Sequence, residues 1–125
     1  MGRTINIITH GMTFKGILND SATADALWNS LPIEASVNTW GDEIYFGIGV
    51  SAELEPGASA AVELYDLAYW PPGQAFCIFF GQTPVSRPGQ IRAASEVNVI
   101  GRIEADAKDL KKVPGGKAIR LEKAE

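Results

Sequence analysis

One run in the middle of the chain constrains the fold more than any other. It reads Asp66-Leu67-Ala68-Tyr69-Trp70, then Pro71-Pro72-Gly73, then Ala75-Phe76-Cys77-Ile78-Phe79-Phe80, and closes with Gly81-Gln82-Thr83-Pro84. Proline cannot donate to a strand ladder, so the first apolar stretch must stop and turn at the Pro-Pro-Gly step. The six residues from Ala75 to Phe80 are apolar at every position. A strand of that kind needs cover on both faces and belongs in the middle of a sheet. No group in the run is readily suited to chemistry, so it speaks for the fold before it speaks for function.

The flanking sequence alternates with period two, as strands do. Thr4 to Thr9 is a β-branched strand, His10-Gly11 a tight turn, and Met12, Phe14 and Leu18 the inward face of its hairpin partner. Asn19-Asp20-Ser21 starts a helix through a side-chain cap. Ala24, Leu27, Trp28 and Leu31 then form one apolar stripe, and Pro32 stops it. Ile33, Ala35 and Val37 alternate again. Trp40-Gly41-Asp42 turns the chain into a strand with Ile44, Phe46 and Ile48 inward. Val62 to Leu64 is a short strand. In Glu96 to Glu104, Val97, Val99 and Ile103 point one way and Asn98, Ile100 and Arg102 the other. Ala105 to Lys112 is a short polar helix, Pro114-Gly115-Gly116 a turn, and Lys117 to Lys123 a last strand. Short strands at this spacing predict a mainly β, closed barrel of about eight strands with two short helices, the first helix covering one opening. Closure would leave no exposed sheet edge.

The length of 125 residues suits a single domain over 1–125 with one core. The balance of 11 basic and 15 acidic residues gives a net charge of −4 and no basic face, which argues against nucleic acid and anionic membranes as partners. No apolar stretch is long enough to span a bilayer, and the first residues lack a secretory core, so a cytoplasmic location is expected. The one cysteine, Cys77, excludes an internal disulfide.

Three stretches carry a resemblance. Asn38-Thr39-Trp40-Gly41-Asp42-Glu43-Ile44-Tyr45-Phe46 is the first, and Asp66 through Gly81 with Thr83-Pro84 is the second. Ile91-x-x-Ala94-Ser95-x-Val97-Asn98-Val99-Ile100-Gly101-Arg102-Ile103 is the third. In this order they resemble the signatures of the small bacterial and archaeal cyclophilin-like proteins of uncharacterised function. The resemblance implies a cyclophilin-like barrel and carries no established activity. More distantly, the chain is similar to the true cyclophilins, the peptidyl-prolyl isomerases. Matched on their central strand, Ala75 and Cys77 stand at the catalytic Gln-aromatic pair and Val97 at the histidine position. No aromatic-His-Arg segment exists, and the single histidine, His10, lies in the first hairpin turn. A donor able to stabilise a twisted prolyl amide has no obvious replacement.

Weighed singly, the candidate residues divide. Tyr69 and Trp70 read either as an aromatic wall for a ligand or as rim packing. Cys77 lies mid-strand and reads as a buried inert thiol. Asn98, in an apolar run, must be hydrogen-bonded, either to a ligand or to the Gly81–Pro84 loop. Arg102 reads as solvated or as an anion contact. Asp42, Glu43 and Asp66 lack metal-site spacing, and Asp42 and Asp66 read as turn residues. Trp40 is placed to cover the barrel mouth. Gly73, Gly81 and Gly101 read as sites of close backbone approach, not as a phosphate loop.

The leading expectation is a domain that binds a small molecule or short peptide in a rim cleft lined by Tyr69, Trp70, Phe80, Thr83, Pro84 and Asn98. No catalytic residue, metal or cofactor is expected. The alternatives are a prolyl isomerase with a rearranged site and a homo-oligomeric structural protein.

Overall fold

The computed structural model describes residues 3–124. β1 (Arg3–Thr9) and β2 (Met12–Leu18) form the expected hairpin. Its turn residues His10 and Gly11 both have positive φ, 52° and 74°. That geometry matches the twist of the flanking strands. Phe14 and Leu18 are buried, and Met12 packs at the margin of the core. In α1 (Ala22–Ser30) the Ser21 hydroxyl accepts from the Ala24 amide at 3.2 Å. A helix of nine residues is marginal alone, so its burial of Ala24 and Leu27 sustains it. Trp28, on the same helix, lies under the Arg3 and Lys123 cations, 5.3 and 4.8 Å from its ring centroid.

The remaining elements are β3 (Ile33–Ser36), β4 (Asn38–Thr39), β5 (Glu43–Gly47), β6 (Ser59–Val62), β7 (Asp66–Trp70), β8 (Ala75–Phe79), β9 (Ile91–Glu104), α2 (Ala107–Leu110) and β10 (Ala118–Lys123). The paired strands are antiparallel, in the order β3-β10-β1-β2-β9-β7-β8-β5-β4, with β6 on β9 off this path. The described residues thus hold ten strands, and the expectation of a closed barrel is corrected. The ladder has two free ends, β3 and β4, and does not close into a barrel. Both ends lie on one segment, 33–39. Between them the Val37 amide donates to Lys117 O at 2.8 Å, and its carbonyl accepts from the Gly116 amide at 2.7 Å. Those bonds commit the junction to the turn before β10, and the chain passes from β10 to β5 there without a lateral pair between β3 and β4.

Two apolar layers result. The inner core takes Ile5, Ile7, Leu18, Leu67, Ile100 and Leu121, with Phe46 and Phe76 stacked at 5.3 Å between centroids. The outer layer is smaller: Val62, Ala68, Ala75, Cys77, Phe79, Ala93 and Val97. Strand β8 faces both, with Phe76 and Ile78 inward and Ala75, Cys77 and Phe79 outward, and all five residues are buried. This is why its sequence is apolar throughout. The cover for its outer face comes from β6 and the first half of β9, which pair with each other. The second half of β9 runs in the main sheet beside β7 and β2.

The simple alternation expected for 96–104 does not hold. The pairing of β7 with β9 shifts between Leu67 and Ala68, whose partners are Gly101 and Val99. That irregularity resets the faces: Val99 is 39% exposed while Ile100 and Ile103 are both in the inner core.

Candidate functional site

The cavity of interest lies in the outer layer, and its origin is side-chain size. The inner core is filled by Phe, Ile and Leu. Between β5/β8 and the covering arm of β9, the facing residues include Cys77, Ala93, Ala94 and Val97. Small side chains between two fixed backbones leave space, here about 220 Å³. Trp40, Glu43, Tyr45 and Trp70 complete the wall.

Each of these four is fixed by local structure. Glu43 and Tyr45 sit on the outward face of β5, opposite Phe79 and Cys77 of β8. Trp40 begins the turn before β5, and its amide donates to Glu43 O at 3.0 Å. That turn is pinned from outside: the Asp42 amide donates to Gln82 O at 2.8 Å and the Phe80 amide to Asp42 O at 3.0 Å. Gly81 is required there, because a Cβ would lie 2.7 Å from Asp42 Cβ. Trp70 ends β7, and its indole Nε1–H donates to Ser95 Oγ at 2.7 Å. At Gly73 a Cβ would lie 2.9 Å from Trp70 Cζ3, so the turn after β7 packs directly on the indole. One side of the ring is thus backed by the turn, and Trp70 also lines the cavity.

Glu43 is the ionisable carboxyl of this wall. It is 5% exposed, and burial pushes its pKa up to about 7, partly opposed by a hydrogen bond from the Cys77 thiol. Cys77 is pushed well above the ordinary thiol range, first by its own burial and then by the Glu43 charge. The thiol therefore stays neutral and is not an activated nucleophile. The pair makes a cavity that is apolar in area, with one carboxyl poised between its two protonation states near neutral pH.

The six residues expected to share a rim cleft do not share one cavity. Trp70 lines the cavity just described. Tyr69 is 1% exposed in the inner core; its hydroxyl donates to Val50 O at 2.5 Å and accepts from the Ala52 amide at 3.3 Å. Phe80 also lies in the inner core. The Thr83 hydroxyl donates to Arg92 O at 2.5 Å and lies 3.0 Å from Ser86 Oγ, which holds its own loop together. Pro84 is exposed beside it.

Asn98 is buried and hydrogen-bonded, but not to the 81–84 loop. Its Nδ2 donates to Thr23 Oγ1 at 3.0 Å and Glu53 O at 2.9 Å, and its Oδ1 accepts from the Glu55 amide at 2.8 Å. It ties the 53–55 loop to the start of α1, beside a separate depression with Asn19, Ser21 and Glu55. Arg102 donates to Leu64 O at 2.9 Å from an exposed position. The Asp66 carboxylate accepts from the Glu63 amide at 2.9 Å, the turn role expected of it.

Sequence reasoning does not single out Tyr45, and it weighs Glu43 only as a metal ligand. The alternation of Ile44, Phe46 and Ile48 already puts Glu43 and Tyr45 on the opposite face. The all-apolar β8 says that this face is covered. Together the two signals place a carboxyl under cover. Among the described residues no group of three His, Cys, Asp or Glu side chains is arranged to hold a metal ion. None of their helices is long and apolar enough to cross a membrane.

A mainly antiparallel sheet with two helices, and an outer aromatic-walled cavity over its central strand, defines a mainly β domain of the cyclophilin kind. The Cyclophilin-like family model matches residues 3–122, and the chain belongs to that family. It is 41% identical to the hypothetical protein AF2241 from Archaeoglobus fulgidus, whose solution structure superposes with a TM-score of 0.82, covering 98% of this chain and 95% of that one. McbB, solved in complex with tryptophan, is 14% identical with a TM-score of 0.68; the match covers 95% of this chain and 44% of McbB, a likeness of fold. No curated protein matches.

Proposed function

We propose that this domain binds a small molecule, or one side chain of a short peptide, in the cavity walled by Trp40, Tyr45 and Trp70 and floored by Glu43 and Cys77. The observation that carries the reading is the cavity itself. Three aromatic side chains converge on a space of about 220 Å³ that holds few polar groups, the composition of a ligand pocket. Binding rather than turnover is favoured because the thiol is neutral and buried and His10, in the β1–β2 turn, is not among the lining residues. The rim-cleft expectation thereby moves outward to the other side of β8 and keeps Trp70 from its original set.

The test is a panel of neutral probes, namely indole, toluene, cyclohexanol and a proline-containing tetrapeptide, followed by intrinsic fluorescence on the wild type and Trp70→Ala. McbB's tryptophan adds free tryptophan to the panel as a probe only. Saturable quenching by at least one probe, weakened in Trp70→Ala, is expected. A panel that leaves the fluorescence unchanged up to its solubility overturns the reading. A prolyl-peptide isomerisation assay on the same protein should show no acceleration. Acceleration abolished by Glu43→Gln would replace binding with catalysis.

A further inference from the structure

The wall of the cavity has an unusual make-up for a purely apolar pocket. Three aromatic side chains and one carboxyl line it, and none of its lining residues is Lys, Arg or His. Aromatic faces carry negative electrostatic potential and attract organic cations, most strongly where water is excluded. A carboxylate at the floor adds the complementary charge. We propose that the preferred occupant is an N-methylated or quaternary ammonium group, seated against Trp40, Tyr45 and Trp70 with its charge facing Glu43.

The proposal rests on the cavity being a ligand site and names the chemistry of its ligand. A strongly hydrated primary ammonium would leave hydrogen-bond donors unmet on Ala93, Ala94 and Val97. An N-methylated one presents C–H surface there, and spreads its charge over that surface. The groups around Glu43 are few. β8 supplies the Cys77 thiol, β5 supplies Tyr45, and the β9 arm Ala93, Ala94 and Val97. In the turn, Asp42 carries its own partner, Lys111 Nζ at 3.8 Å. Glu43 is therefore the carboxyl that answers a cation in the cavity. A bound cation favours its ionised form, so binding should strengthen as pH rises through about 7, where the empty site's carboxyl titrates.

The experiment compares choline with its neutral tert-butyl isostere, in which carbon replaces the quaternary nitrogen. Affinities are measured by calorimetry or fluorescence at about one pH unit above and below the Glu43 midpoint. At the higher pH choline should bind about tenfold more tightly than the isostere. At the lower pH, and in Glu43→Gln at either pH, choline's advantage over the isostere should shrink severalfold, leaving only the part contributed by the aromatic side chains. Trp70→Ala should weaken both. Equal binding of the two probes to the wild type at high pH overturns the ammonium proposal and leaves the pocket standing. Absence of binding by choline overturns it as well, while the pocket is judged separately by the neutral panel.

Discussion

The two faces of β8 are packed by different rules, and the contrast explains where a site can exist. Inward, Phe76 and Ile78 join Phe46, Ile44 and Leu67, large side chains of the buried inner core. Outward, Ala75 and Cys77 meet Ala68, Ala93 and Val97. The β6–β9 arm covers them, and these small side chains leave the gap unfilled. The inner layer stabilises the fold. The outer layer gives up packing and gains a cavity. Glu43 marks the same division: β5 sends Ile44 and Phe46 inward and a carboxyl outward.

That contrast is open to attack by mutation. Truncating Phe76 to Ala should be the most damaging change, costing about 3–5 kcal/mol through lost burial and a residual cavity. Val97→Ala in the outer layer should cost no more than about 2 kcal/mol, because it enlarges a space already present. Chemical denaturation of both variants checks this, and equal losses would erase the distinction. Asn98→Ala should cost about 1–3 kcal/mol by stranding the Glu55 amide and the Glu53 carbonyl. Hydrogen exchange should show the loosening at 53–55 and the start of α1, with the cavity residues unaffected.

Glu43 gives an effect that depends on pH. Its folded pKa, about 7, lies above its ordinary value of 4.5, so the folded state holds the proton more tightly than the unfolded chain. Stability is then highest below about 4.5, falls as pH rises to about 7, and stays lower beyond it. Glu43→Gln should remove roughly 2–3 kcal/mol of that decline, allowing for the solvated edge of the cavity. Asp66, also raised by burial, contributes in the same direction, so the informative quantity is wild type minus variant. A difference that does not change with pH would show Glu43 to be freely solvated. Least of all should happen at Cys77: the folded protein should resist alkylation at about pH 8, where an accessible thiol reacts.

Much of the fold was legible because its signals are local. The Pro-Pro-Gly stop after Trp70, the His10-Gly11 turn, the Ser21 cap and the apolar β8 all declare themselves within a few residues. The errors arose where distant segments decide the outcome. Val37 looks like a mid-strand residue, yet its hydrogen bonds to 116 and 117 end β3 and leave the ladder open. The shift between Leu67 and Ala68 turned Val99 outward against its own alternation. The site was less legible still. Trp70 reads from sequence either as a ligand wall or as rim packing, and the residues that share its cavity come from 40–45 and from the arm at 93–97. Only the fold brings those together. Tyr69, Phe80, Thr83 and Asn98 draw notice because they are aromatic or polar in an apolar run, and the fold places them in the inner core or in hydrogen bonds away from the Trp70 cavity.

The three tryptophans supply the most direct test of the claim that the outer layer is the site. Trp40 and Trp70 line the cavity, whereas Trp28 lies on α1 beneath Arg3 and Lys123. In nitrogen-labelled protein their indole N–H signals can be followed while choline and the neutral probes are titrated. The account predicts that the Trp40 and Trp70 signals move together and saturate while Trp28 stays in place. Movement of Trp28 with Trp40 and Trp70 silent would contradict it.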